Sequence, residues 1–432
     1  MTPGALARPN TPLRQYLFDL TLHGIKLGLE NIQALVRAAG DPHFACPVIH
    51  VGGTNGKGSV VAMLAAMFER AGYRTAQFTS PHLIDVSERF LVDAEPIPEP
   101  ALEENIAFFR DAARRIGCIP TFFEMNTAIA FRYFAQARAD IALIEVGMGG
   151  RFDSTNVVQP LACGITNIDL EHTAYLGDTI AKIAVEKAGI IKAGVTAVTA
   201  ELNPDALGVF HRRAAEVDAP LLQLGRDFDY RLQGTAWDPQ FSYVSALNAF
   251  AAQPLALPGR YQGDNAAVAC ALAETAMPHF PAMVREHIQD GLTTVRWPCR
   301  AERVLDDPPV FIDVAHNAAG ARRIADLFEE CVIVFSASSD KDAASMLAAL
   351  QPRARHLILT QFDGKRATPV QELADKAGPG SVEISATLPD AVRRGIACAT
   401  PDCPLLITGS IYTAGEARSV LIQEFGARPL RF

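Results

Sequence analysis

The residues with the clearest chemistry lie between Val48 and Ser59. A short apolar run, Val48 to Val51, leads into Gly52, Gly53, Thr54, Asn55, Gly56, Lys57, Gly58 and Ser59, and an apolar stretch follows from Val60 to Phe68. A strand, a glycine-rich turn and a helix in that order make an anion site. The turn's N–H groups converge on the ligand, and the helix N-terminus adds partial positive charge. Lys57 is placed to reach the β- and γ-phosphates of a nucleotide, and Ser59 to contact Mg2+ directly or through water. Gly58 separates Lys57 from Ser59, whereas the usual phosphate loop has them adjacent. The pattern predicts binding of a nucleoside triphosphate.

Further polar clusters stand at the ends of apolar runs. Ile141 to Val146 reads as a strand that delivers Glu145, an acid placed to hold Mg2+ beside the phosphates. A polar, glycine-rich loop follows, from Gly147 to Asn156. Ile165 to His172 forms a second cluster of this kind. Lys187 lies among small and apolar residues, where burial would lower its pKa and expose a neutral amine. In the second half, Phe311 to Asn317 brings Asp313, suited to ribose hydroxyls, and His316, suited to a phosphate. Cys403 to Ser410 repeats the design. Polar strand ends in both halves suggest a nucleotide clamped between two domains.

The elements that must position these groups alternate along the chain, as in a parallel α/β sheet. Strands are expected at 47–51, 74–78, 140–146, 161–167 and 195–199, with helices at 58–71, 99–116, 124–138, 178–188 and 264–277. Thr11 and Pro12 open an earlier helix, and another follows Gly28. The stretch 225–258 reads as a β-rich excursion, and Trp297-Pro298 as a linker. Beyond it a second series has strands at 310–314, 332–335, 356–359 and 405–408, with helices near 318–329, 341–350, 369–376, 388–398 and 412–424.

Composition sets outer limits. The 432 residues, 49% hydrophobic and 20% charged, suit a globular chain with two or three cores. A net charge of −9 argues against general nucleic-acid or membrane binding. The eight cysteines include no C-x-x-C pair, so structural zinc is not expected and reduced thiols are. No secretory signal or membrane span is evident, and the expected location is the cytoplasm.

Taken together, the motifs resemble those of the bacterial dihydrofolate synthase/folylpolyglutamate synthase family, within the Mur-type ligases. The resemblance runs from Leu27-Gly28-Leu29-Glu30 to Gly409-Ser410-Ile411-Tyr412-Thr413. It rests on the phosphate turn, Ser80-Pro81-His82-Leu83, Thr121-Phe122-Phe123-Glu124, Glu145 to Asp153, Glu186 to Ile190 and Asp313 to Asn317. It implies an N-terminal P-loop-type mononucleotide-binding parallel-sheet domain (1–297) and a smaller Rossmann-like α/β domain (298–432) that closes on ATP and binds glutamate. By resemblance, Asn55, Gly56, Lys57, Gly58 and Ser59 wrap the ATP phosphates, and Asn265, Arg300 and Asp313 contact the nucleotide. Arg300 and His316 close onto the phosphates. Ser80, Glu145 and His172 match magnesium ligands, two ions being expected, and Lys187 matches a lysine carried as a carbamate. Ile25, Lys26, Leu27, Thr121, Phe122, Phe123, Glu124, Phe152, Asp153 and Ser154 match segments that hold the pterin substrate. Lys26 stands where some relatives carry an acid, and Cys299 where a glycine commonly precedes the arginine.

The implied reaction is ATP-driven amide synthesis. A carboxylate takes the γ-phosphoryl group, and the amine of L-glutamate displaces phosphate from the acyl phosphate. Lys57, Arg300, His316 and magnesium would offset the transferring charge. The expected substrates are dihydropteroate, reduced folates and L-glutamate, acted on by a monomer without nucleic-acid or membrane partners. The alternatives are glutamate extension of folates alone, or a Mur-type ligase acting on another carboxylic acid.

Overall fold

The computed structural model describes residues 11–24, 26–378 and 382–432; Ile25, expected among the pterin contacts, lies outside them. Continuous apolar runs bury strands on both faces, and such strands stack side by side in parallel. The first sheet has the order β4-β3-β2-β5-β1-β6-β7-β8. Its strands are β1 Val48–Gly52, β2 Thr75–Phe78, β3 Phe90–Val92, β4 Glu95–Pro96, β5 Ile141–Glu145, β6 Ala162–Ile165, β7 Thr196–Thr199 and β8 Leu221–Gln223. All pairs are parallel except those made by β3 and β4. β1 lies between β5 and β6, so the turn after β1 has polar strand ends on both sides.

Helices cover both faces. On one, the Lys57–Arg70 helix buries Val60, Val61, Met63, Leu64, Met67 and Phe68 between the sheet and the Gln262–Ala276 helix. It is apolar nearly all round because neighbours surround it. On the other face the Glu30–Ala38, Glu99–Ile116 and Phe122–Ala137 helices form a second core. The first helix, Pro12–Asp19, begins as expected, with Thr11 Oγ1 accepting from Arg14 N.

The excursion at 225–258 is an antiparallel sheet of β9 Phe228–Gly234, β10 Pro239–Ser245 and β11 Ala249–Pro254. The turn between β9 and β10 carries Trp237, whose Nε1 donates to Leu327 O at 2.8 Å while its ring meets Phe311 and Phe328. The second large sheet has the order β12-β13-β17-β14-β15-β16, from β12 Glu302–Asp306, β13 Pro309–Ile312, β14 Cys331–Phe335, β15 Ala354–Leu359, β16 Val382–Ile384 and β17 Leu405–Thr408. Only β12 runs antiparallel. This is the α/β architecture expected, with the smaller sheet second.

Four expected strands of the second sheet are present. β12 and β16 were not anticipated: they are the two edge strands, Glu-Arg-Val-Leu-Asp and Val-Glu-Ile, too short or too polar to form an apolar run. The Pro204–Glu216 and Arg285–Thr294 helices were also missed, being short amphipathic elements rich in charge.

One segment of the first half enters the core of the second. Leu83 packs among Val314, Ala414 and Ala417, and its carbonyl lies against Gly415 in the Ile411–Phe425 helix. A Cβ at Gly415 would stand 2.0 Å from Leu83 O, a backbone atom that cannot swing aside. Gly415→Ala is therefore expected to lower stability by about 1–3 kcal/mol, as overpacking does. A thermal midpoint equal to that of the wild type would contradict this contact.

Candidate active site

The phosphate turn is built by its neighbours. Gly56 has φ of 91° and lies against Asn265, whose Oδ1 would be 2.2 Å from a Cβ there. Only glycine satisfies both the left-handed backbone and the close approach. Residues beyond β6 brace the turn: Thr54 N donates to Asn167 O at 2.8 Å, Asn55 N to Asn167 Oδ1 at 3.1 Å, and Thr166 Oγ1 to Asn55 O at 2.7 Å. From the second half, Asn317 Nδ2 donates to Asn55 Oδ1 at 3.1 Å. Lys57 Nζ folds back onto Gly53 O and Thr54 O at 3.0 and 2.9 Å, poised over the turn it follows.

A cavity of about 300 Å3 lies over this turn, between the two large sheets. Lys57, Glu145, His172, Asn265, Arg300 and His316 all line it, as do Asn55, Ser59, Ser80 and Asp313. The nucleotide and metal residues expected from the sequence therefore converge on one space. A larger cavity of about 870 Å3 lies beside Trp297 and Arg300, but no residue of the phosphate turn borders it.

Glu145 is buried, and burial raises its carboxyl pKa against the pull of Lys57, the Ser80 N–H and Arg300. Ser80 N donates to its Oε2 at 3.0 Å, and no ion pair reaches the carboxylate among the described residues. A desolvated acid without a paired cation, lining the same cavity as the Ser80 hydroxyl and the His172 ring, fits a divalent ion. His172 suits that role, since burial and nearby lysines lower its pKa and keep the ring neutral. No cluster of three or more His, Cys, Asp or Glu gathers among the described residues. The candidate set agrees with that, because Ser80 supplies one of its three members.

Lys187 is 2% exposed; its Nζ donates to Gly53 O at 2.8 Å and to Glu171 Oε1 at 2.7 Å. Burial, aided by Lys57 and opposed by Glu171, brings it down to about 8. Burial would raise Glu171, but Lys187 and Lys57 outweigh it and hold that acid at about 2.

Asp313 sits at the end of β13. Its two oxygens accept from Ala301 N and Ala315 N at 2.8 Å each, so much of its capacity secures the backbone around Arg300. That backbone is unusual: Cys299 and Ala301 flank Arg300 with φ of 55° and 48°. Cys299 thus occupies the left-handed region that suits the glycine commonly found there, at a cost of about 1–2 kcal/mol.

His316 departs from expectation. Burial lowers its pKa to about 4, with Lys341 and Arg300 adding to the effect, so the ring does not bring a positive charge at neutral pH. Its Nδ1 lies 3.1 Å from Val314 O and donates there, which leaves Nε2 as the free ring atom.

The pterin segments lie apart from the cavity, which they meet near Gly147. Thr121 and Glu124 form a capping box on the Phe122–Ala137 helix, and Asn31 Nδ2 donates to Glu124 Oε2 at 3.1 Å. Lys26 Nζ in turn reaches Asn31 Oδ1 at 3.2 Å. Asp153 accepts from Met148 N and Thr155 N at 2.8 and 2.9 Å. Ser154 is buried beside it. The carboxylates of Glu124 and Asp153 therefore serve the local backbone. Leu27 and Phe152 are exposed; Phe123 lies against Gly147, and Phe122 lies beneath Arg89.

Tyr261, Arg323, Lys341 and Arg366 also line the cavity and were not singled out. Lys341 stands in an Asp340-Lys341-Asp342 run, and Tyr261 lies four residues before Asn265; neither spacing reveals a shared cavity.

Two largely parallel sheets that meet over a phosphate turn, with an arginine brought in by the second, define a Mur-type ligase. Residues 51–273 match the Mur ligase middle domain, and residues 299–411 the Mur ligase glutamate ligase domain. Within that class the chain belongs to the dihydrofolate synthase/folylpolyglutamate synthase family. It is 34% identical to the Bacillus subtilis dihydrofolate synthase/folylpolyglutamate synthase, over 94% of this chain and 98% of the relative. It is 36% identical to a probable bifunctional folylpolyglutamate synthase/dihydropteroate synthase of Haloferax volcanii, over 94% of this chain but only 49% of that protein, so it spans about half the length of that relative. The structure of E. coli FolC in complex with DHPP and ADP superposes with a TM-score of 0.86 at 29% identity, covering 98% of this chain and 100% of FolC. A bifunctional folylpolyglutamate synthase/dihydrofolate synthase with Mn, AMPPNP and L-glutamate bound gives 0.84 at 28% identity, covering 98% and 100%. No helix among the described residues is long and apolar enough to cross a membrane.

Three buried or nearly buried histidines share one linkage. Burial lowers His50 and His82 to about 3 and His316 to about 4, against 6.5 for a free ring. The unfolded chain therefore binds protons at these rings that the folded chain refuses. Stability should fall as pH drops from about 6.5 towards 4 and gain nothing from these groups above 7. Denaturant midpoints measured across that range would show it; a flat profile would contradict the assignment.

Proposed function

We propose that this chain is an ATP-dependent carboxylate–amine ligase. It joins L-glutamate to dihydropteroate, giving dihydrofolate, and to reduced folates, giving polyglutamates. The observation that carries this reading is the cavity itself: Lys57, Glu145 and His172 from one sheet face Arg300 and His316 from the other. The Bacillus subtilis relative, a dihydrofolate synthase/folylpolyglutamate synthase, agrees with it. In this reading residues 1–297 bind ATP and the pterin acid, and residues 298–432 close on the nucleotide and bind glutamate. The protein acts as a cytoplasmic monomer.

Ser80, Glu145 and His172 would hold magnesium, two ions in this reading, which supplies charge neutralisation at the phosphates. The chain's own groups do the rest. Lys57 leaves its carbonyl partners for the terminal phosphates, with Asn55, Gly56, Gly58 and Ser59 surrounding them. Asn265 and Asp313 hold the nucleoside end, and Arg300 reaches the phosphates from the second domain. A substrate carboxylate oxygen attacks the γ-phosphorus as its bond to ADP breaks. The glutamate amine then attacks the acyl carbon, loses a proton, and phosphate leaves. Closure of the domains excludes the water that would hydrolyse the acyl phosphate. His316, neutral, contributes hydrogen bonding through Nε2 rather than charge. Lys26, Leu27, Thr121, Phe122, Phe123, Glu124, Phe152, Asp153 and Ser154 form the pterin side, where the rings supply apolar faces and the two acids hold the loops.

Mass spectrometry of products formed with ATP, Mg2+ and L-glutamate tests the proposal. Dihydrofolate from dihydropteroate, together with added glutamates on a reduced folate, is the expected outcome. Extension of the folate alone would make this a polyglutamate synthase. No product from either acid would point to a Mur-type ligase with another substrate.

Lys187 is read as a carbamate formed from CO2 and its neutral amine. With a pKa of about 8 the amine becomes increasingly available as pH rises through that value. At fixed dissolved CO2, the NMR carbonyl signal from isotope-labelled bicarbonate should therefore grow between about pH 7 and 9 and vanish in Lys187→Ala. A signal that persists in that variant would overturn the assignment.

A further inference from the structure

His50 is an unexpected residue for the middle of β1. It is fully buried between Ile49 and Val51, in the strand that feeds the phosphate turn. Its Nε2 lies 2.8 Å from Thr155 Oγ1, while Nδ1 is buried without a hydrogen-bond partner among the described residues. The Thr155 hydroxyl has its own acceptor in Asp153 Oδ1, so it donates there and receives from the histidine. This fixes the neutral tautomer with hydrogen on Nε2. Burying an unsatisfied acceptor such as Nδ1 costs about 1–3 kcal/mol. An apolar side chain of similar size would avoid that cost. Fold stability alone therefore gives no reason for a histidine here.

The chain of donors ends on the loop that follows Glu145. Asp153 accepts from Met148 N at 2.8 Å with one oxygen and from Thr155 N at 2.9 Å with the other. Next to Met148, Gly147 lies so close to Phe123 that a Cβ would be 2.4 Å from the ring tip. The same loop carries Phe152, 40% exposed. His50, Thr155 and Asp153 thus connect the central strand to the loop that sets the spacing between two aromatic residues.

We infer that His50 and Thr155 are positioning residues: acting through Asp153, they fix the Gly147–Asp153 loop in the shape that receives the ring of the acid substrate. The inference rests on the ligase reading above. Neither residue touches substrate. The loop is held to the strand through Thr155 and to the Ile180–Ala188 helix through Arg151, whose N donates to Glu186 O at 2.8 Å. None of its hydrogen bonds among the described residues reaches the phosphate turn, so the relay acts on the acid substrate and not on ATP.

Steady-state kinetics of Thr155→Val and Thr155→Ser separate this role from a purely structural one. Valine keeps the shape and loses the hydroxyl; serine keeps the hydroxyl. Thr155→Val should raise KM for dihydropteroate about tenfold or more, the effect of a small misplacement, with KM for ATP within about twofold of wild type. Thr155→Ser should restore the pterin KM. His50→Leu should raise it similarly, and the double variant His50→Leu/Thr155→Val should add nothing further, because both break one chain. If His50→Leu does not fold, the valine–serine pair decides alone. An unchanged pterin KM in Thr155→Val, even with a lowered thermal midpoint, overturns the inference, as does an equal rise in both KM values. Wild-type protein that makes no product overturns the ligase reading and this inference with it.

Discussion

Asn55 is gripped from both halves of the molecule, and the site depends on that grip. Its N–H and carbonyl are held by Asn167 and Thr166 beyond β6, while its side chain receives Asn317 from the second sheet. A phosphate turn is a set of backbone dipoles, and dipoles act on a ligand only when their directions are fixed beforehand. Here the backbone of Asn55 is fixed by an amide and a hydroxyl, groups that add no charge of their own. The amines of Lys57 and Lys187 sit on the Gly53 carbonyl, and Asp169 receives only the Asn55 side chain. The turn's positive field therefore remains available to a nucleotide, and the position of the second domain is linked to the turn through a single amide.

Around this frame lies an unusual density of buried charge. Lys187, Glu171, Lys57 and Glu145 stand within one water-poor region. Removing an ion from water costs several kcal/mol unless a partner compensates. Lys187 and Glu171 compensate one another, whereas Glu145 has only a backbone N–H. The imbalance is local and lies where a divalent ion would correct it. The low pKa values of His172 and His316 follow first from burial, and the cations that already share the space add to it.

Much of this is legible in the sequence. The apolar runs at 48–51, 141–146 and 332–335 could hardly be anything but buried strands, and the Leu388–Cys398 helix lies where its pattern placed it. The phosphate turn announced itself because glycine, lysine and serine at such spacing have few structural uses. Other features depended on information that no local pattern contains. β12 is recognisable as a strand only once β13 is beside it. Glu124 and Asp153 looked like substrate acids, but their carboxylates meet nearby N–H groups whose direction only the folded backbone reveals. His316 looked like a cation because burial is not written in a sequence. Tyr261 and Lys341 are eighty residues apart and share a cavity only through the meeting of two sheets.

The seating of Leu83 beneath Gly415 bears on how such a chain is inherited and made. A segment encoded in the first quarter of the sequence supplies part of the apolar core of the last quarter. The second half, synthesised alone, would display an open apolar notch, and the first would present a leucine to solvent. The two sheets are therefore separate as architecture but not as units of exchange. Recombination at the Trp297-Pro298 junction would produce a working protein only when the incoming half already carried a notch shaped for this leucine.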